Sequence, residues 1–184
     1  SRCQTSTGVR SSAASEVYKG QLTAAAANYG CPMLWAEGHS EVPNLSGDEQ
    51  QLHFGIEDLA SRYDDLAPKG HVDLVVIGCP QASLEEIRRT AAAVRAHSEM
   101  GALIVDKRLW VFTSAENHAL AEADGSIGIF EEAGALVLQD TCPEVTPYNR
   151  SKYNHILTNS LKAEHYLTSG LNKMPTSVMA IEDC

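Results

Sequence analysis

The sequence predicts an α/β domain of three layers, with a mainly parallel sheet between two layers of helices. Three observations carry this expectation. From about Gly30 onward, short runs rich in Val, Leu and Ile alternate with helical patterns, the order that builds a parallel sheet with crossover helices. The run Val72–Gly78 is apolar at nearly every position, as expected of a strand buried on both faces and central in its sheet. Directly after it, Ser83 and Glu86 have the spacing of a capping box, which marks a helix start. A chain of 184 residues with 43% hydrophobic content can bury the core that one such domain needs.

Taken in order, residues 1–24 form a poorly matched, partly Ser/Thr-rich N-terminal segment, and 25–184 form the α/β domain. Val17–Ala27 reads as a helix, Cys31–Ala36 as a strand, Gly38–Gln51 as a loop and Leu52–Tyr63 as a helix. The strand Val72–Gly78 leads through a loop at Cys79–Ala82 into a helix whose Leu84, Ile87, Ala91 and Val94 share one face. Leu109–Thr113 is the next strand, followed by a helix at Ala115–Ala123 with Thr113 and Glu116 as its expected capping box. A short helix over Ile127–Ala133 stops at Gly134, a residue suited to the left-handed position past a helix end. Ala135–Gln139 and His155–Thr158 read as strands, Leu161–Leu167 as a helix and Thr176–Ile181 as a final strand.

Composition narrows the function. A formal charge of −10 with only 14 Lys and Arg leaves no basic tract for phosphate contacts, which argues against nucleic acid as a partner. The longest apolar run is far short of the roughly 20 residues that span a bilayer, so no membrane role is expected. The first residues lack the charged and apolar regions of a signal peptide. Five cysteines at irregular spacings suit free thiols in a reducing compartment better than a disulfide framework, so the expected location is the cytoplasm. The start at Ser1 rather than Met fits an incomplete reading frame.

The chemistry is expected at the carboxyl ends of the strands, where open α/β sheets collect ligands. Cys79 and Cys142 each follow an expected strand and each precede a proline. The ordinary reading of either alone is a small buried hydrophobe, but Cys-Pro also occurs in iron–sulfur ligand runs, and two on one edge favour ligation. Ser160 and Lys162 open an expected helix, where unpaired N–H groups and the dipole favour an anion; the ordinary alternative is an N-cap and a solvated lysine. The seven histidines show no metal spacing, and only His165, beside Tyr166, lies near that helix. No Gly-rich nucleotide-binding motif is present.

These residues resemble a known family. Val72–Glu86, with Gly78-Cys79-Pro80, Ser83 and the acidic helix start, is similar to the corresponding segment of the aconitase X large subunit. Asp140-Thr141-Cys142 resembles that family's Asp-Thr-Cys, Thr158-Asn159-Ser160-Leu161-Lys162 its Thr-Asn-Ser-x-Lys ahead of a tyrosine, and Glu182-Asp183-Cys184 its acidic ending. Gln81 stands where the family has histidine after Cys-Pro, and Trp35 about where another histidine is expected.

The resemblance implies a hydro-lyase working through an iron–sulfur cluster held by three cysteine thiolates. Cys79 and Cys142 would be two of the three, and Ser160 and Lys162 the catalytic candidates. The third ligand and a small swivelling subunit or domain would come from parts of the enzyme outside this chain. The isolated chain is therefore expected to be an inactive fragment without an intact cluster, a small hydroxy acid being the substrate of the complete enzyme. The family's substrates include cis-3-hydroxy-L-proline and phosphorylated mevalonate, the first being the expected one here. Two other readings stand beside this: a cysteine-based carrier or redox protein with Cys79 as nucleophile, which calls for a lowered thiol pKa, and a noncatalytic interaction domain.

Overall fold

The apolar run around Val75 lies in the middle of a five-stranded sheet. The structure is a computed structural model that describes residues 8–9, 26–27, 35–36, 55–101 and 107–184. The chain divides into two compact units, Ser1–Gly55 and Ile56–Cys184. In the first, strands β1 (Gly8–Val9) and β2 (Trp35–Ala36) pair in parallel, and residues 26 and 27 are helical. The rest of the helix expected over Val17–Ala27, Cys31, the loop Gly38–Gln51 and the boundary near residue 24 lie outside the described residues.

The second unit contains α1 (Ile56–Leu66), β3 (Leu74–Ala82), α2 (Leu84–Glu99), β4 (Leu109–Thr113), α3 (Ala115–Ala123) and α4 (Ser126–Glu132). These are followed by β5 (Leu136–Gln139), β6 (Ile156–Thr158), α5 (Leu161–Ser169), β7 (Thr176–Val178) and a 3-10 turn at Ile181–Asp183. The sheet order is β5-β4-β3-β6-β7, and every pairing is parallel. β3 is central, as its two-sided apolar character predicts.

Side-chain alternation along the strands builds a core on each face. On one face Ile77, Leu109 and Val111 pack with Ile87, Ala91 and Val94 of α2, Ala121 of α3 and Ile127 and Phe130 of α4. On the other, Leu74, Val76, Phe112 and Ile156 pack with Ala163 and Leu167 of α5 and with Tyr153 and Met174. The result is the three-layer α/β arrangement. No helix among the described residues is long and apolar enough to cross a membrane.

Local signals are met at two ends. Ser83 and Glu86 form the reciprocal capping box, and Gly134, at φ 74°, closes α4 with bonds from Gly134 N to Glu131 O and from Ala135 N to Phe130 O, the 5→2 and 6→1 pattern of a Schellman motif. Three expectations change. The loop expected at Cys79–Ala82 is the continuation of β3, which re-pairs with β4 at Ala82 opposite Thr113. The cap of α3 is Ser114, which accepts from Asn117 N. Thr113 cannot fill that place because its buried hydroxyl donates across the sheet to Ala82 O at 2.7 Å. The last strand stops at Val178, and Ile181–Asp183 turns into the 3-10 helix.

Candidate functional site

The order of the strands reverses at β3. The chain moves outward from β3 through β4 to β5, then returns to place β6 and β7 on the other side, so the carboxyl ends of β3 and β6 flank the switch point where such sheets bind ligands. Cys79 and Ser160 lie at those ends. Ser160 Oγ donates to Cys79 O at 2.5 Å while accepting from Ala163 N at 3.2 Å, so one hydroxyl caps α5 and fastens the start of that helix to the cysteine's backbone.

Gly78 determines which way Cys79 turns. Strict alternation from Leu74 and Val76 would send Cys79 to the face of α2, yet Cys79 packs with the core on the α5 side. Between Ile77 and Ala82 β3 advances five residues while β4 advances two, from Val111 to Thr113, and Gly78 stands in this irregular stretch at φ 105°. A Cβ on Gly78 would lie 2.1 Å from Phe112 O, so no other residue fits without moving a strand. The Cys79–Pro80 peptide is cis.

Cys142 reaches the same edge from β5. Asp140, at φ 51°, turns the chain at the strand's end. Its N–H donates to Thr113 O at 2.9 Å, and its carboxylate accepts from Ala115 N at 3.0 Å, at the N-terminus of α3. Gln81 Nε2 then donates to Thr141 O at 3.2 Å, joining the Cys79 segment to the Cys142 loop across β4. Beyond Cys142, Thr146 Oγ1 donates to Cys142 O at 2.9 Å and Tyr148 Oη to Pro143 O at 3.0 Å. Tyr148 also stacks on Trp110 at 5.6 Å, which holds the loop against β4.

Electrostatics place the groups in one neighbourhood. Burial pushes the Cys79 thiol up to about 11; the Lys162 ammonium opposes this, and Cys142 and Glu144 add to it. Burial likewise raises the Tyr148 phenol well above its usual range, with Glu144, Cys142 and Cys79 contributing. Two buried oxygens here have no hydrogen-bond partner: Glu144 Oε2 and Asn159 Oδ1. Cys79 and Cys142 are both free thiols, each partly buried. Burial destabilises the Cys79 thiolate, a cost that a cationic iron–sulfur core would offset, and Cys142 is a second free thiol in the same neighbourhood, so these residues fit such a group. Among the described residues no cluster of three or more His, Cys, Asp or Glu forms a complete metal site.

All four residues singled out from the sequence therefore gather at one edge, Cys79, Cys142, Ser160 and Lys162. His165 instead makes an edge-on ring contact with Tyr166 at 5.4 Å. Cys184 belongs to the opposite face, where it packs with the α2 and α4 core; burial pushes its thiol up to about 12. The sequence reading quoted Gly78 and Asp140 within motifs without giving either a role, and it missed Tyr148 and Glu144. Gly78 had a readable signal, a glycine closing an apolar strand. Glu144 had none, because the turn that fixes it comes from residues 170–172.

Comparison with known proteins gives one consistent relationship. The family model described as "Aconitase X third domain" matches residues 72–184. The "Phosphomevalonate dehydratase large subunit" of Methanocaldococcus jannaschii is 34% identical over 121 residues, 65% of this chain and 28% of that protein. The "Cis-3-hydroxy-L-proline dehydratase" of Pseudomonas aeruginosa is 32% identical over 143 residues, 68% of this chain and 23% of that protein. The chain thus spans less than a third of the length of these relatives. The crystal structure of Thermococcus kodakaraensis aconitase X in its holo form superposes with a TM-score of 0.76 at 24% identity, covering 92% of this chain and 43% of that one, which shows a shared fold.

Proposed function

The chain belongs to the aconitase X family, and from that premise we propose that it is the cluster-facing portion of the large subunit of a dehydratase that removes water from a small hydroxy acid. The observation that carries this reading is the convergence of the Cys79 and Cys142 segments at the switch point, tied by the Gln81 to Thr141 hydrogen bond and braced by Ser160 on Cys79 O. Cys79 and Cys142 would hold an iron–sulfur cluster as two of three thiolates, the third coming from another part of the large subunit. A cluster bound there supplies a Lewis acid that eases departure of the substrate hydroxyl as water.

The chain's own groups bind and orient. Lys162, close enough to act on the Cys79 thiol, would hold a substrate carboxylate together with first-turn N–H groups of α5 other than that of Ala163, which Ser160 Oγ already takes. Ser160 would keep that helix start in register with Cys79. The relatives' names give two different acids and one shared reaction, dehydration, and that shared reaction is what comes to this chain. A swivelling small subunit or domain would close the site and exclude water. Free thiols of this kind suit a reducing compartment, the cytoplasm in this reading.

The carrier or redox reading is disfavoured by the site's electrostatics. A nucleophilic cysteine needs a depressed pKa, whereas burial raises that of Cys79. Cys79 also lies within β3, four residues ahead of the Ser83 cap and so away from the N–H groups of α2.

Anaerobic reconstitution tests the proposal. The chain alone is expected to hold no stoichiometric iron, while the complete large subunit with its small partner gains visible cluster absorbance and dehydrates a hydroxy acid. Cys79→Ser and Cys142→Ser should each abolish both properties. Retention of cluster and activity in either variant would remove the assignment.

A further inference from the structure

Glu144 follows Cys142 by two residues, and nothing in the cluster reading uses it. Its carboxylate is held in one place: Oε1 accepts from Leu171 N at 2.7 Å, and the main-chain oxygen accepts from Asn172 Nδ2 at 2.6 Å. Gly170 makes room for this, since a Cβ there would lie 2.4 Å from Oε1. The second oxygen, Oε2, is buried without a partner, a costly condition for an acceptor unless a ligand completes it. The carboxylate lies in the neighbourhood of the site, for its charge acts on both Cys79 and Tyr148. A second orphan, Asn159 Oδ1, is buried beside Ser160 at the end of β6. Two unfilled acceptors call for a ligand rich in N–H or O–H donors.

We propose that Glu144 is a specificity-determining residue of this site, its Oε2 receiving a donor from the bound acid and turning away a ligand that presents phosphate there. The inference rests on the dehydratase reading and gives it a direction: a hydroxy acid bearing an ammonium group is accepted over a phosphorylated one. An ammonium offers N–H donors and a favourable charge, while a phosphate offers chiefly acceptors and repulsion.

The test uses Glu144→Gln, which keeps an oxygen for Leu171 N–H and removes the charge. Binding of cis-3-hydroxy-L-proline and of phosphomevalonate to the full chain is measured by calorimetry, and KM for each in the assembled enzyme. The wild type should favour the ammonium-bearing acid, and Glu144→Gln should move the ratio toward the phosphorylated acid by about tenfold or more. Gly170→Ala, which displaces the carboxylate, should move it the same way. Absence of preference in the wild type, including binding of neither acid, overturns the inference, as does a ratio unchanged in both variants. Cluster absorbance separates the two ideas. Its loss in Glu144→Gln would make Glu144 a support of the cluster and overturn the specificity role. An unchanged ratio with the absorbance retained overturns that role and leaves the dehydratase reading in place.

Discussion

Substituting Gly78 with alanine puts a methyl group where the sheet has no space. The new Cβ would stand 2.1 Å from Phe112 O, 3.0 Å from Phe112 C and 3.1 Å from Ala82 N, and real Cβ atoms essentially never come within 3.0 Å of such an atom. Relief needs a shift of nearly an ångström between β3, the central strand, and its neighbour β4. The backbone at φ 105° adds about 1–3 kcal/mol of strain for any residue with a side chain. Each ladder bond lost by the shift adds about 1 kcal/mol. The total is about 3–5 kcal/mol, a large share of the stability of an ordinary domain. Urea unfolding followed by far-UV circular dichroism reads this as a lowered midpoint at nearly constant slope. Gly70→Ala is the control, because nothing lies within 4 Å of its Cβ position, and it should stay within about 0.5 kcal/mol of wild type. A Gly78→Ala midpoint equally close to wild type would refute the claim that Gly78 is sterically required and that it turns Cys79 to the α5 face.

Two further outcomes follow from the same structure. Ser83→Ala removes the hydroxyl half of the α2 capping box, in which Ser83 Oγ accepts from Glu86 N, while the bond from Ser83 N to Glu86 Oε2 survives; it should cost about 1 kcal/mol in the same unfolding assay, without altering the sheet's circular dichroism. The chain without a cluster should also lose stability in alkali: burial raises the Cys79 thiol from 9.0 to about 11, so an unfolded chain releases this proton before the folded one does. That contribution is complete below about pH 9 and declines as pH rises toward 11. Thermal melts across that range should show the decline, and Cys79→Ser should reduce it; an identical pH profile in the variant would contradict the burial of this thiol.

The sequence by itself determined the architecture and the identity of the thiol pair. Val72–Gly78 reads as a central strand because burial on both faces demands apolar residues at consecutive positions. Ser83 with Glu86, and Gly134 after α4, mark helix ends because capping is chemistry between residues a few positions apart. Cys79 and Cys142 are legible for a related reason, since each follows an apolar run that reads as a strand, and strand direction in a parallel sheet sends both to one edge. Tertiary structure alone decided the rest. β3 continues to Ala82 because β4 offers Thr113 as a partner, and the Thr113 hydroxyl is drawn across the sheet to Ala82 O, which leaves the cap of α3 to Ser114. Asp140 acts at the start of α3, twenty-five positions back along the chain. Glu144 is held by residues 171 and 172, and its uncompleted oxygen exists only once the fold has closed around it. Local patterns carry capping, periodicity and strand burial, whereas register shifts and buried charges are settled by segments far apart in the chain, whose meeting no local pattern records.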